Sequence, residues 1–297
     1  SARFCSPRLQ SHSACMRITE SAHCCKSALP TYTLVHALEN LERTPEALEV
    51  LERALAWRPD DGELRLFAAQ FRSRVSAAHT ASAQQLLQEA RHKVSETLWL
   101  SVAAQLARQR GDLPEALELY QQVLRLQPQS LAAHRAVSTL LAELRGRQAA
   151  IDHLHDACRQ FPHFQPLLEL LIEWLRGEPP EEVEPVIRQL IALNPAHAWA
   201  VRELGLLLVQ QHRIEEAELL AREALHLDPW HPASHVLHGE VCMARGDRDQ
   251  ARAAFRQAVR ISVDYDHAIA RLLDACETLA QRRTELGFVR DELVRQV

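Results

Sequence analysis

Apolar and small residues recur at intervals of three and four along most of the chain, with polar residues between them. This spacing places the apolar side chains on one face of an α-helix, so it predicts a series of amphipathic helices. One helical phrase returns in similar form, as GDLPEALELYQQVLRLQPQS at 111–130 and HRIEEAELLAREALHLDPWH at 212–231. Each copy holds a turn, one amphipathic helix and a closing Leu-x-Pro, which indicates a repeated structural unit.

The repeat extends over most of the chain with a period near 34 residues. A small residue stands in the middle of the phrase, in steps of 33 to 36 residues, at Ala47, Ala83, Ala116, Ala150, Val183, Ala217 and Ala251. Twelve residues after each comes the closing position, at Pro59, Ser95, Pro128, Pro162, Pro195, Pro229 and Val263. A fixed period of this length, built from two helices, is typical of a stacked helical array.

The residue types of the phrase explain the length of the unit. A single helix hairpin cannot bury its apolar stripe alone, so hairpins stack on one another. The turn Gly111-Asp112, like Gly246-Asp247, combines a C-terminal cap with the N-cap of the next helix. Proline at the closing position has no N–H to donate and therefore ends the second helix.

These residues resemble the tetratricopeptide repeat (TPR) family. The segment LGLLLVQQHRIEEAELLAREALHLDP at 204–229 has the Leu-Gly pair of the first helix, then the two Ala and the Pro of the second. Further matching residues are Tyr120, Gly239, Gly246, Ala251, Phe255 and Ala258. The resemblance covers roughly residues 28–297 and implies an all-α fold, a right-handed superhelical solenoid of antiparallel helix hairpins.

We expect about seven repeats in residues 28–297, followed by a partial helix pair over roughly 265–280 and 284–297. The repeats begin near residues 28, 64, 97, 131, 164, 198 and 232. Departures occur in the second repeat and the fifth, at Phe71, Ser95, Pro179, Pro180 and Pro185. Residues 1–27 do not follow the repeat, and we expect a Cys- and Ser-rich leader that is flexible or ends a preceding domain.

Composition supports an all-α fold and excludes several classes of function. Only 8 residues are Gly and 5% are aromatic, which argues against all-β domains and nucleotide-binding α/β domains. A net charge of −5 without a basic block in the helical part argues against a nucleic-acid partner. No run of 18 apolar residues exists, so no membrane span is expected.

Cysteine placement favours a reducing compartment, and we expect a cytoplasmic location. Three cysteines stand singly in helical patterns, where a small apolar residue would also fit: Cys158, Cys242 and Cys276. The other four lie in the first 25 residues: Cys5, Cys15, Cys24 and Cys25. Cys15, Cys24 and Cys25 with His23 could bind a metal, but no Cys-x-x-Cys pair is present, so a transit-like or flexible leader is preferred.

The TPR resemblance implies a partner-binding surface on the first helices, which line the concave face of such arrays. Helical spacing nominates a polar and basic lining toward the N-terminus: Tyr32, His36, Arg65, Arg72, Ser101, Gln105, Arg108, Arg135 and Thr139. Toward the C-terminus the lining becomes apolar: Leu168, Ile172, Leu175, Trp199, Arg202, Leu206, Val209 and Met243. The Trp and the Met would anchor apolar side chains of a partner, and the arginines would pair with its acidic groups. Alternatively, superhelical twist places several of these residues in the packing between repeats.

Catalytic and metal-binding motifs do not stand out. His231, His235 and His238 have helical spacing, but no carboxylate or Cys lies beside them at ligand spacing, so packing roles are preferred and no metal is expected. No phosphate-binding loop, Ser-His-Asp order or His-Glu-x-x-His motif stands out, so no catalytic residue and no cofactor are predicted.

The sequence therefore predicts a non-catalytic protein–protein interaction scaffold that binds a peptide or protein in the concave groove. Two alternatives stay open. The chain is the substrate-recruiting region of a larger enzyme, for example a transferase, whose catalytic domain lies elsewhere. In the second alternative the chain is a self-assembling module, so a homo-oligomer is also possible.

Overall fold

A computed structural model describes residues 29–76 and 79–296. The leader expected over residues 1–27, with its four cysteines, lies outside the described residues. Within them the chain forms sixteen α-helices and no β-strand. The helices are α1 (Leu29–Asn40), α2 (Thr44–Trp57), α3 (Gly62–Val75), α4 (Thr80–Ala90), α5 (Glu96–Gln109), α6 (Leu113–Leu126), α7 (Leu131–Arg145), α8 (Arg147–Gln160), α9 (Gln165–Trp174), α10 (Pro180–Leu193), α11 (Ala198–Gln210), α12 (Ile214–Leu227), α13 (Pro232–Ala244), α14 (Arg248–Ile261), α15 (Asp266–Asp274) and α16 (Leu279–Gln296).

The described residues divide into two compact units, one up to residue 150 (unit 1) and one from residue 151 onward (unit 2). In unit 1, α1/α2, α3/α4 and α5/α6 form antiparallel hairpins, and each second helix packs on the first helix of the next hairpin. In unit 2, α9/α10, α11/α12, α13/α14 and α15/α16 follow the same rule. The predicted all-α class and hairpin arrangement are confirmed.

The turns between helices have the expected capping chemistry. Gly111 and Gly246 adopt the left-handed conformation, with φ of 82° and 83°. After them, Asp112 accepts a hydrogen bond from the Glu115 N–H at 3.1 Å, and Asp247 accepts one from Gln250 at 3.0 Å. Each Asp thereby satisfies a donor that the start of a helix leaves unpaired.

The small residues of the repeat are buried where helices approach closely. Ala116, Ala217 and Ala251 are fully buried in the second helices α6, α12 and α14. At Gly239 of α13, an added Cβ atom would lie 2.3 Å from the Phe255 ring of α14. The hairpin α13/α14 can therefore close to this distance only with a glycine at that position.

The second repeat departs from the regular geometry. Its second helix, α4, has 11 residues, whereas α6 and α12 each have 14. Ser95, which replaces the usual closing Pro, acts instead as the N-cap of α5 and accepts a hydrogen bond from Leu98. The fifth repeat keeps its helix: α10 continues through Pro185 to Leu193.

Candidate functional site

In unit 1, polar side chains connect each first helix to the next, and we call this row the unit 1 ladder. It consists of three pairs, with donor–acceptor distances of 3.2 Å for Arg74–Glu39, 2.5 Å for Gln70–Gln105 and 2.8 Å for Arg108–Glu143. The three pairs join α1 to α3, α3 to α5 and α5 to α7. The ladder thus runs across the first helices α1, α3, α5 and α7, and two of its members, Gln105 and Arg108, are among the nominated residues.

Two of the other arginines nominated in unit 1 pair with carboxylates of the chain and are therefore not free to line a groove as cations. Arg65 donates from Nε to a Glu89 carboxylate oxygen on α4 at 3.1 Å, and also to the Pro59 carbonyl. The Arg72 Nη2 atom lies 3.5 Å from a carboxylate oxygen of Glu52 on α2. These two side chains reach toward second helices, whereas Arg135 is exposed on α7.

An aromatic cluster lies on the first helices at the start of unit 1. The Phe67 ring on α3 lies 4.6 Å from the Tyr32 ring and 5.4 Å from the His36 ring, centroid to centroid. Burial raises the pKa of the Tyr32 hydroxyl, so the phenol is neutral at physiological pH. Phe67 was missed by the sequence reasoning. Its spacing of three from Gln70 and seven from Arg74, both ladder residues, would have placed it on this face.

Unit 2 has a corresponding ladder, which we call the unit 2 ladder. Arg176, just after α9, donates to Glu203 on α11 at 3.1 Å, and Arg271 on α15 donates from Nη2 to Glu240 on α13 at 2.8 Å. Like the two arginine pairs of the unit 1 ladder, it pairs cations of one repeat with first-helix carboxylates of another. The charges of these residues are therefore compensated within the chain.

The apolar residues nominated in unit 2 fall into a half-buried set and a buried set. Trp199, Leu206 and Val209 of α11 remain half-buried, as does Met243 of α13. These two helices contact each other. Trp199 also lies beside His197, with ring centroids 6.0 Å apart.

The buried set belongs to the packing of unit 2. Leu168, Ile172 and Leu175 have exposed fractions of 1%, 1% and 0%. Their side chains offer no surface to a partner, which fits the alternative of packing between repeats. The fifth repeat is apolar on several faces of α9, so periodicity alone did not separate its core side from its outer side.

Arg202 of α11 is buried as well, with 7% of the residue exposed. Its Nη1 atom donates to Ser234 Oγ at 3.3 Å and lies 3.5 Å from a carboxylate oxygen of Asp228. Ser234 is itself fully buried on α13. Arg202 therefore joins the sixth repeat to the seventh.

The histidines and cysteines make internal contacts. The His235 Nε2 atom lies 2.9 Å from the Pro229 carbonyl oxygen, and His238 Nε2 lies 3.9 Å from the Cys242 sulfur. Over residues 29–76 and 79–296, no group of three or more His, Cys, Asp or Glu side chains has an arrangement that could hold a metal ion. Burial raises the pKa of the Cys158 thiol to about 11, so this thiol is a poor nucleophile at neutral pH.

None of the described helices is long and apolar enough to cross a bilayer.

Comparison with known proteins gives a consistent family match. Models of the tetratricopeptide repeat match residues 32–61, residues 68–131 and 101–163, and residues 208–276. These matches together cover more than half of the chain. No curated protein sequence matches it significantly.

Solved structures include TPR proteins of similar fold. The C-terminal part of a TPR repeat-containing protein from Cytophaga hutchinsonii has a TM-score of 0.54 at 13% identity, covering 81% of this chain and 99% of that one. YrrB, described as a TPR protein with an unusual peptide-binding site, has a TM-score of 0.46 at 20% identity, covering 62% of this chain and 96% of its own. TTC0263, a thermophilic TPR protein from Thermus thermophilus, has a TM-score of 0.45 at 18% identity, covering 60% and 98%. At such identities the first of these supports the fold alone.

Proposed function

Because the chain belongs to the tetratricopeptide repeat family, whose members are protein-interaction scaffolds and generally non-catalytic, we propose that it binds a peptide or protein partner on a first-helix face of unit 2. The observation that carries the proposal is the half-buried apolar row formed by Trp199, Leu206 and Val209 on α11. Their spacings of seven and three place them on one side of the helix. Met243 on the neighbouring helix α13 extends the apolar surface.

This row has the composition of an interface centre. Tryptophan is enriched among residues that dominate binding energy, and such residues lie within a polar rim. Here the Arg176–Glu203 and Glu240–Arg271 pairs supply polar groups at the same first helices. Since Arg202 is buried against Asp228 and Ser234, affinity would rest on apolar anchors rather than on this arginine.

The test compares capture of proteins from the source lysate by the wild type and by a Trp199→Arg/Leu206→Arg double variant. A matched control is Leu219→Arg, because Leu219 is a leucine 64% exposed on the second helix α12. Circular dichroism and thermal unfolding first establish that both variants are folded. We expect a protein captured by the wild type and by the control to be lost from the double variant. Equal capture by all three would reject the proposed surface.

A second candidate function is self-association, and it is favoured by α16. Leu279, Leu286 and Leu293 are exposed on this helix at intervals of seven residues, the spacing of a helix–helix seam. Sedimentation of the wild type and of Leu286→Glu at two protein concentrations tests it. A sedimentation coefficient that rises with concentration only in the wild type would support self-association, and identical behaviour of both proteins would exclude this seam.

A further inference from the structure

The α4–α5 connection has a fixed conformation that the other repeats do not share. The missing last turn of α4 is replaced by residues 91–95, which fold back onto the start of α3. A Cβ atom added at Gly62 would lie 2.7 Å from both the Lys93 Cβ and the Val94 Cγ1 atoms. The Lys93 ammonium also donates to the Asp60 carboxylate at 2.7 Å and to the Pro59 carbonyl at 3.2 Å. These contacts hold the connection in place.

A cleft of about 610 Å³ lies beside this connection, in the range of ligand-binding sites. Its lining comes from the connection, α5 and α6 and consists of Arg91, His92, Val94, Glu96, Trp99, Leu100, Leu119 and Gln122. Val94 and Leu119 are half-buried and form an apolar wall, whereas Leu100 is buried, with 3% exposed. Trp99 is fixed in orientation because its indole N–H donates to the Leu87 carbonyl at 2.8 Å.

Arg91 is the cation of the cleft and is oriented by Trp99. Its guanidinium carbon lies 4.8 Å from the centroid of the Trp99 ring, the geometry of a cation–π contact. In the part of the chain that the structure describes, no carboxylate pairs with Arg91, whereas Arg65, Arg108 and Arg202 each have one. Its N–H donors are therefore free to bind an anion, and a guanidinium binds a carboxylate with two parallel hydrogen bonds.

We propose that the cleft binds a partner peptide in which an acidic side chain adjoins an aliphatic residue. The carboxylate binds Arg91, and the aliphatic side chain packs against Val94 and Leu119, which are half-buried. Glu96 and Gln122 at the rim accept hydrogen bonds from the N–H groups of the peptide backbone. In the described part of the chain neither Arg91 nor Glu96 has an ion-pair partner, so the occupant must bring an anion for the first and N–H donors for the second, and an acidic residue within a peptide backbone supplies both. The site lies within unit 1 and is separate from the α11 row.

The experiment follows the indole N–H resonance of Trp99 in the ¹⁵N-labelled chain while peptides are added. The Trp99→Phe variant assigns this resonance among the five tryptophans. The probe is N-acetyl-Asp-Leu-Leu-amide. Its two controls are N-acetyl-Asn-Leu-Leu-amide, which lacks the carboxylate, and N-acetyl-Asp-Gly-Gly-amide, which lacks the apolar side chains. N-acetyl-leucine tests whether the carboxylate of a chain terminus is the true ligand.

We expect a saturable shift of the Trp99 resonance with the probe and at least tenfold weaker binding of both control peptides. Arg91→Ala should weaken probe binding at least tenfold. The matched control Arg125→Ala changes another exposed arginine of unit 1 that is absent from the cleft lining, and it should bind as the wild type does. The Trp199→Arg/Leu206→Arg variant should also bind normally.

Three results would overturn the proposal. The first is the absence of a saturable shift, and the second is unchanged affinity in Arg91→Ala. The third is binding of N-acetyl-leucine as tight as that of the probe, which would assign the site to a terminal carboxylate instead. Because the probe is read in unit 1, failure here leaves the α11 row unaffected.

Discussion

The α4–α5 and α12–α13 connections occupy the same place in two repeats but differ in what they leave exposed. Helix α12 runs its full length to Leu227, and the next residue, Asp228, lies beside the buried guanidinium of Arg202. Helix α4 ends at Ala90, and Arg91 lies over Trp99 without a carboxylate partner. In the regular connection an arginine joins two repeats. In the irregular one an arginine faces a cleft.

This difference shows how a departure from a repeat pattern creates a specific site. The irregular connection needs Gly62 as the first residue of α3, because Lys93 and Val94 lie where a side chain would extend. The corresponding helix of the regular repeat, α11, begins with Ala198, so a Cβ is accommodated at that place. The departure in the second repeat therefore adds a cleft in unit 1, separate from the apolar row on α11.

Arg202→Ala should have the largest effect on stability among the changes that test this comparison. It removes a buried guanidinium and leaves Ser234 and Asp228 without their partner, so we expect a loss of about 2–3 kcal/mol. Arg91→Ala should cost less than about 1 kcal/mol, since an exposed cation–π contact is worth about 0.5–1 kcal/mol. Urea unfolding followed by circular dichroism measures both. Equal losses of stability in the two variants would contradict the conclusion that Arg202 joins two repeats whereas Arg91 does not.

Gly62→Ala should have the next largest effect. The added Cβ forces the 91–95 connection away from α3, at an expected cost of about 1–2 kcal/mol after the gain in helix propensity. Gly287→Ala in α16 is the control, because nothing lies within 4 Å of a Cβ at that position. That control should gain about 0.5–1 kcal/mol. If Gly62→Ala is stabilised as much as Gly287→Ala, then close packing of Lys93 and Val94 against Gly62 does not hold the 91–95 connection.

Trp99→Phe should lower the free energy of unfolding by about 1 kcal/mol, because the hydrogen bond from the indole to the Leu87 carbonyl is lost. The matched control in the regular connection is Trp230→Phe. Trp230 is 79% exposed, so this change should stay within about 0.5 kcal/mol. Thermal unfolding of the two variants compares them directly. A loss of stability in Trp230→Phe as large as in Trp99→Phe would show that the Trp99 hydrogen bond is not the cause of the loss.

The smallest expected effect is a change in how stability depends on pH, caused by a histidine in the regular connection. Burial and the nearby Arg202 hold the pKa of His231 below its ordinary value of 6.5, although Asp228 opposes them. The unfolded state therefore binds more protons, and this contribution to stability decreases as pH falls from about 7.5 through 6.5. His231→Asn should weaken that dependence while keeping an N-cap for α13. Unfolding at pH 7.5 and 5.5 tests it, and an unchanged pH dependence would exclude His231 as a source.

The regular part of the fold was predictable because each repeat carries its own signals. Buried Ala217, the capping Asp112 and the closing Pro128 all act within one hairpin or at its border, so short-range spacing suffices to find them. Whether a given first-helix residue is exposed or buried was harder to predict from the sequence. Ile172 is the eighth residue of α9, the place that buried Gly205 takes in α11, whereas half-buried Leu206 is the ninth. The period near 34 residues therefore placed the two in register wrongly, because α9 and α11 begin at Gln165 and Ala198, only 33 residues apart.

The cleft could not be derived from spacing, although the departures that surround it could. Ser95 and Phe71 marked the second repeat as irregular, but neither residue lines the cleft. The cleft depends on contact between Gly62 and the pair Lys93–Val94, which are about thirty residues apart in the sequence. Phe67 was missed for a related reason, since α3 begins at Gly62, two residues before the repeat start that the period suggests.

The two ladders have a consequence for the speed of binding. Each connects neighbouring first helices through arginines that face carboxylates of the same unit. Such compensated charges generate little long-range field, so a partner reaching these faces receives little electrostatic steering. Its association rate constant should lie near the value for unsteered protein pairs, about 10⁵–10⁶ M⁻¹ s⁻¹, and should vary little with ionic strength. Differences in affinity between partners would then arise from how long each complex persists rather than from how fast it forms.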